Sequence, residues 1–537
     1  MNVSSAIDFT VIVVYMVVIV GVGIWVVRRQ PMDTEKYFLA SHSLSWPVIG
    51  CALFASNIST IHLVGLAASG FNDGLVWGNF EWMAVFTLIL LALVFSPFYF
   101  KNKISTLPEF LEKRYGSSAR TLLAILGILS ALFIHIGVSL YAGAVVFENL
   151  FGVNIYVSII TISIFTALYT VIGGLRSVVI TETIQTVILI TGSILLTLFA
   201  VLALPDVGVN NWADLKKAVK PEQLSIVPTA TNTSGLTWAA IVLGYPVLGI
   251  WYWCADQTIV QRVLGARTLY DAKMGPLFAG VLKVLPVFIM VLPGVLGYVL
   301  FKDKISTANN TLPFMITALM PAGLKGLMCA ALLAALMSTI ASALNSAATM
   351  VSIDIVKRNN PRITDNEQVK IGRIAAVVVM IIAILWSPFI ARFNSIFEAI
   401  NVLLTVISPP ITAVFVLGVF WSRGNTQGAT ATFMGGFTLG LLAFLVDFPL
   451  IGDHKILTDT YGISFMMQAW WLFVLCTIIY VVTSLLTPPP DMARIAGYTM
   501  RSPLSFLNSS RHEGGIKPIW FTAFLLLLMT SLYLIFS

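Results

Sequence analysis

Long apolar runs alternate with short polar ones along the whole chain, and the apolar runs have membrane-crossing length. A helix covers the hydrocarbon core of a bilayer with about 20 residues. Such runs fall at 8–27, 45–70, 79–100, 121–147, 153–172, 177–203, 236–254, 275–301, 323–355, 371–388, 394–420, 427–446, 464–486 and 518–536. The pattern predicts an all-α polytopic membrane protein with about 14 transmembrane helices, formed as a single membrane domain over 1–537. Two runs carry interruptions. Residues 45–70 contain Ser56-Asn57-Ile58-Ser59-Thr60, and 236–254 contain Gly244-Tyr245-Pro246 and Gly249. These two runs open consecutive blocks of five spans. An odd number of spans turns the second block upside down relative to the first, so the blocks read as a 5+5 inverted repeat whose first helices are broken. Broken helices at matching positions point to a solute site near the bilayer midplane. The expected division is an extra N-terminal helix (8–27), a first repeat (45–203), a second repeat (236–420) and three additional C-terminal helices (427–537).

Composition strengthens this reading. The chain is 58% hydrophobic and 10% charged, where soluble domains carry about 25% charged residues. Of its 31 lysines and arginines, 22 fall in loops on one side of the predicted topology and 8 on the other, with Lys283 inside a span. Basic loops stay in the cytoplasm, so both termini are expected outside. The net charge of +7 thus reports topology, and no nucleic-acid partner is needed to explain it. Cys51, Cys254, Cys329 and Cys476 each sit in an apolar stretch and read as small buried residues. The first apolar run is too long for a cleavable signal peptide. The expected place is a cell membrane, plasma or inner, with lipid as the surrounding partner. The sequence has no P-loop, HExxH or GxSxG. It predicts no enzyme and no nucleotide site, and leaves an ion gradient as the energy source.

Polar side chains inside the spans are costly and carry the functional signal. Asn57, Ser59, Thr60 and His62 cluster at the first interruption. They serve either as interhelical glue or, with freed carbonyls, as a site for a hard cation. Glu81 opens the third span, as an interfacial helix-start residue or as an acceptor for hydroxyl groups. Lys283 lies too deep to reach the interface. It needs a partner such as Glu81 or a hydrated cavity, and it can donate to substrate hydroxyls. Ser338 and Thr339 either bond back to the preceding turn or, with the Ala335 carbonyl, supply oxygen ligands to Na⁺. Trp251, Tyr252 and Trp253 fit an interfacial belt or a stacking surface. Asp256-Gln257 and Gln261-Arg262 follow and are expected to be solvated.

Several stretches carry a family resemblance over roughly residues 8–485. They are Ala55-Ser56-Asn57-Ile58-Ser59 with His62, Phe80-Glu81-Trp82, STLPEFLEKRY at 105–115, and Ile172-Gly173-Gly174-Leu175-Arg176-Ser177. Trp251-Tyr252-Trp253-Cys254 with Asp256-Gln257 and Gln261-Arg262, Leu282-Lys283 and Leu344-Asn345-Ser346-Ala347 complete the set. Together they resemble the sodium:solute symporter family, in its sodium/glucose cotransporter branch. The resemblance implies a leucine-transporter-like fold and symport of Na⁺ with a glucose- or galactose-like monosaccharide by alternating access. It implies a sodium site from the carbonyls of Ala55, Ile58 and Ala335 and the hydroxyls of Ser338 and Thr339. It implies a sugar site from Asn57, His62, Glu81 and Lys283, with Tyr252 beneath the sugar as inner gate and Trp253 beside it. Leu66, Phe80 and Phe397 would form the outer gate. Asn401 stands where glucose and galactose carriers have Gln, Gly249 replaces a polar lining residue, and Glu182 replaces an Asp on the sodium exit path. Ala341 stands where two-sodium carriers have a hydroxyl, which implies one Na⁺ per solute. Another polyol such as an inositol, or a carboxylated solute, is the alternative cargo. A ligand-gated sensor or channel of the same fold is the alternative of a different class.

Overall fold

The computed structural model describes residues 5–28, 33–228, 236–392, 396–447, 455–500 and 515–537, with the side chains of 392–402 outside the description. Among the described residues the chain is helical throughout, with one isolated bridge between Leu44 and Ala266. The principal helices are α1 (Ala6–Trp25), α2 (Trp46–Asn57), α3 (Thr60–Asp73), α4 (Leu75–Lys101), α5 (Ser117–Phe151) and α6 (Ile155–Leu202). They continue as α7 (Ala240–Ala255), α8 (Gln257–Leu264), α9 (Leu269–Phe301), α10 (Leu324–Lys357) and α11 (Asp365–Ala391). The last are α12 (Ile396–Phe420), α13 (Thr426–Asp447), α14 (Phe465–Leu486) and α15 (Lys517–Ile535).

Eleven of these elements are long and apolar enough to cross a membrane, or twelve with one bent pair counted as a span. The expected fourteen differs from this at three places. Run 45–70 is the bent pair α2–α3, whose axes meet at 65°. Runs 153–172 and 177–203 merge into α6, which is interrupted inside at Gly174. Run 236–254 is α7, shorter than a spanning helix. The first two differences fall where glycine or hydroxyl residues weaken the helical ladder, whereas α7 runs unbroken through Gly244, Pro246 and Gly249 and the chain breaks instead at Asp256 (φ −90°, ψ 121°) before α8.

The core sits around α10, whose most apolar stretch is 94% buried, against 22% for α15. Small residues explain the position. Leu324–Thr349 is rich in Ala and Ser, which lets neighbouring backbones approach closely where lipid offers no hydrophobic driving force. Helices α1, α2 and α6 pack on it. The first span also carries an acidic residue for a structural reason. Asp8 is buried, and its carboxylate accepts from the backbone N–H groups of Gly323 (2.7 Å) and Gly326 (2.8 Å). It thereby satisfies donors at the start of α10 that have no partner within the helix. The outward faces of α1 and α11 expose Val13, Val14, Val17, Ile381 and Leu385, as lipid-facing helices do.

Gly174 holds φ 60°, ψ −158°, a conformation open essentially to glycine alone. A Cβ there would also stand 2.8 Å from Cδ2 of Tyr37. Gly174→Ala is therefore expected to cost about 1–3 kcal/mol. Gly21→Ala, with open space around the site, should cost nothing comparable. Thermal unfolding of the two variants in detergent checks this; equal midpoints would show that the break does not depend on glycine.

Candidate functional site

The site begins with a backbone accounting problem. A helix leaves its last four carbonyls without intrahelical partners, and α2 ends at Asn57 in the middle of the protein. Ile58 (φ −76°, ψ 110°) and Ser59 (φ −108°, ψ 173°) are extended before α3 resumes at Thr60. The freed carbonyls face α10. Ser338 Oγ lies 2.8 Å from the Ala55 carbonyl and 3.0 Å from that of Ala335. Thr339 Oγ1 lies 3.1 Å from the carbonyls of Ser56 and Ala335 and 3.5 Å from that of Ile58. The five residues Ala55, Ile58, Ala335, Ser338 and Thr339 thus converge into one oxygen cluster, joined by the Ser56 carbonyl. All six are buried. An all-oxygen donor set of carbonyls and hydroxyls suits a hard cation.

Beside the cluster lies a cavity of about 130 Å³ lined by Asn57, His62, Leu66, Phe80, Glu81, Tyr252, Trp253 and Lys283. Thr339 lines it too, so the cavity and the oxygen cluster share a wall. Glu81 and Lys283 are almost fully buried and form an ion pair, and Lys283 Nζ sits 5.6 Å from the centre of the Trp253 ring. His62 Nδ1 accepts from the Ser59 backbone N–H at 3.3 Å, which leaves the proton on Nε2 when the ring is neutral. Phe80 stacks on Trp77 (5.7 Å) and Phe465 (6.1 Å) and meets Tyr245 edge-on. Gly249 is a lining residue, where a Cβ would stand 2.8 Å from Cε1 of Tyr245. The arrangement offers acceptors at Glu81, donors at Lys283 and His62, and aromatic faces at Tyr252 and Trp253. The side chains of Phe397 and Asn401 lie outside the description. Leu404, three residues further along α12, lines the cavity.

One expectation changes. Asp256, Gln257, Gln261 and Arg262 are buried, not solvated. The reason is tertiary: Arg262 pairs with Glu182 at 2.6 Å, both side chains fully buried. Glu182 also accepts from Ser56 Oγ (3.0 Å) and from Ser342 Oγ, so the ion pair sits against the oxygen cluster. The sequence reading also passed over His135 and Tyr245, both of which line the cavity. A single His in an apolar run carries no periodic signal, and Tyr245 read only as part of a helix interruption.

The model of the sodium:solute symporter family matches residues 37–436. The chain is 34% identical over 533 residues to sodium/glucose cotransporter 1 of Oryctolagus cuniculus, covering 91% of this chain and 80% of that protein. It is 33% identical over 539 residues to sodium/myo-inositol cotransporter 2 of the same organism, covering 93% and 80%. Among solved structures, the substrate-bound outward-open state of a Na⁺-coupled sialic acid symporter aligns with a TM-score of 0.76 at 22% identity, covering 91% of this chain and 99% of that one. That likeness shows the fold, which is leucine-transporter-like.

The buried ion pair generates a prediction. Lys283→Ala strands the Glu81 carboxylate and is expected to cost about 3–5 kcal/mol. Lys283→Met combined with Glu81→Gln removes both charges and should be markedly milder. Unfolding midpoints of the purified variants decide it; a Lys283→Ala protein as stable as the parent would mean that Glu81 has another counter-charge.

Proposed function

The chain belongs to the sodium:solute symporter family, as an integral multi-pass, Na⁺-coupled transport protein with no enzymatic activity, and from that premise we propose that its solute is a glucose- or galactose-like monosaccharide. The observation that carries this reading is the shared wall: Thr339 belongs both to the oxygen cluster and to the cavity. In this reading Na⁺ is held by Ala55, Ile58, Ala335, Ser338 and Thr339, and the sugar by Asn57, His62, Glu81, Lys283 and Asn401. Tyr252 and Trp253 form the floor, with Tyr252 as inner gate. Leu66, Phe80 and Phe397 close the outer side, and sodium leaves past Glu182. Mixed donors and acceptors beside aromatic faces suit a neutral polyhydroxylated molecule. Lys283 already pairs with Glu81, which disfavours a carboxylated solute; an inositol has the same chemistry as a sugar and is the second reading. The repeats at 45–203 and 236–420 move around this site, with 8–27 and 427–537 as flanking helices, both termini outside and the protein in the plasma or inner membrane.

One oxygen cluster supports one Na⁺ per solute, since the Ala341 methyl cannot ligate a cation. The energetics suffice. A charge moving through 100 mV yields about 2.3 kcal/mol, and a tenfold sodium gradient adds about 1.4 kcal/mol. Together they sustain a solute gradient of a few hundredfold.

Proteoliposomes loaded without sodium test the proposal. Glucose or galactose should accumulate under an inward sodium gradient and fail to accumulate when choline replaces sodium at matched pH. Thr339→Ala should raise the sodium concentration for half-maximal uptake about tenfold or more, as loss of a cation ligand requires. Equal accumulation in choline, or transport of proline in preference to every sugar and polyol, would refute the assignment.

A further inference from the structure

His135, in the cavity wall, pairs with Asp256 behind it, and neither takes part in the sodium or sugar contacts proposed above. His135 and Asp256 are both buried, and His135 Nε2 lies 2.7 Å from Asp256 Oδ2. The other carboxylate oxygen, Oδ1, accepts from the backbone N–H of Thr258 at 2.8 Å and caps α8. Asp256 is therefore fixed through both oxygens. An ionised Asp256 can only accept, so Nε2 carries a hydrogen, and when the ring is neutral Nδ1 presents a lone pair.

That Nδ1 is the unexplained atom. Among the described residues it has no hydrogen-bond partner, although His135 lines the cavity. The atom is unpaired yet not sealed within protein, so its partner has to come from the cavity. A structural anchor between α5 and α8 needs only one ring nitrogen. The local backbone points the same way: Ser130–Val138 is a π-helical stretch inside α5. Such widenings re-aim side chains and cluster at functional sites.

The position complements the Glu81–Lys283 pair. The His135 ring packs against Trp251 (6.4 Å, interplanar 13°) and Tyr252 (5.8 Å). Tyr252 and Trp253 are edge-to-face at 5.1 Å, and Lys283 Nζ lies against Trp253. The two aromatic rings thus separate a donor-rich end at Lys283 from an acceptor at His135. We propose that His135 is a further solute-binding residue, whose Nδ1 accepts a hydrogen bond from one hydroxyl of the solute, with Asp256 as the positioning residue that fixes its tautomer. The proposal rests on the monosaccharide reading and names the contact that would select one hydroxyl group.

The test uses the purified full chain in detergent with saturating sodium, titrated with glucose and with its monodeoxy and deoxyfluoro analogues. Fluorine keeps an acceptor but cannot donate. In the parent, at one ring position, both the deoxy and the fluoro analogue should bind about tenfold or more weakly than glucose. In His135→Phe, glucose should weaken about tenfold and become equal, within about twofold, to the deoxy analogue at that position. The second arm keeps the inference exposed if His135→Phe does not fold. Asp256→Asn preserves a helix-capping side chain while allowing its amide to donate to Nε2, which moves the ring hydrogen to Nδ1. The fluoro analogue should then bind better than the deoxy analogue at the same position. Unchanged affinities in a folded His135→Phe, or the parent pattern in Asp256→Asn, overturn the inference and leave the monosaccharide reading standing. A parent that binds no sugar in sodium overturns that reading and the inference with it.

Discussion

A helix that stops inside a membrane protein must find partners for its last carbonyls, and much of this structure follows from where those partners lie. The end of α2 at Asn57 frees carbonyls that neither lipid nor the α2–α3 bend itself can satisfy. Ser338 and Thr339 of α10 supply hydroxyls to them. The same oxygens that solve the folding problem form a donor set suited to a hard cation, because a hydroxyl can turn its hydrogen away and present a lone pair. α10 must therefore sit centrally and pack tightly, which its alanines and serines allow.

Charge is placed around this break with the same economy. Glu81–Lys283 lies on the cavity side and Glu182–Arg262 lies against the oxygen cluster. Each pair is buried and each draws its partners from sequence segments far apart. Buried pairs seldom add stability over apolar packing, but breaking one is expensive. They register α4 against α9, and α6 against α8, around the break. Ser342 and Ser56 connect the second pair to the cluster by hydrogen bonds. Ser56 belongs to both, its carbonyl facing Thr339 and its hydroxyl donating to Glu182.

The sequence made much of this legible, for identifiable reasons. Asn57, Ser59 and Thr60 are poor helix-interior residues in an apolar run, so the break at α2–α3 could be placed within a few residues. Lys283 lay too deep to snorkel to the interface, so it called for a partner such as Glu81 or a hydrated cavity, and it has both. The gap between 172 and 177 marked Gly174. Other features were hidden. Arg262 is buried against Glu182, eighty residues away in sequence, and Asp256 against His135, 121 residues away, and a polar run after an aromatic helix end looks the same whether solvated or buried. His135 gave no signal because a lone histidine in an apolar run has no pattern, and the π-helical turn that faces it into the cavity is a backbone feature. α7 falls short of a full span because it ends at Ala255, where Asp256 turns extended (φ −90°, ψ 121°), a stop that the polar run after the aromatic helix end did not reveal; Gly244 and Pro246, read as an interruption, are accommodated inside a continuous helix.

The central claim is that cation and solute occupy adjoining parts of one broken-helix site and so stabilise each other's binding. Linkage makes this measurable without transport, since a coupling free energy acts equally in both directions. Calorimetric titration of the detergent-purified protein would give the glucose Kd in sodium and in choline, and the sodium Kd with and without saturating glucose. The account predicts that sodium tightens glucose binding, that glucose tightens sodium binding by the same factor, and that Thr339→Ala abolishes the factor. A glucose affinity identical in sodium and choline would contradict it.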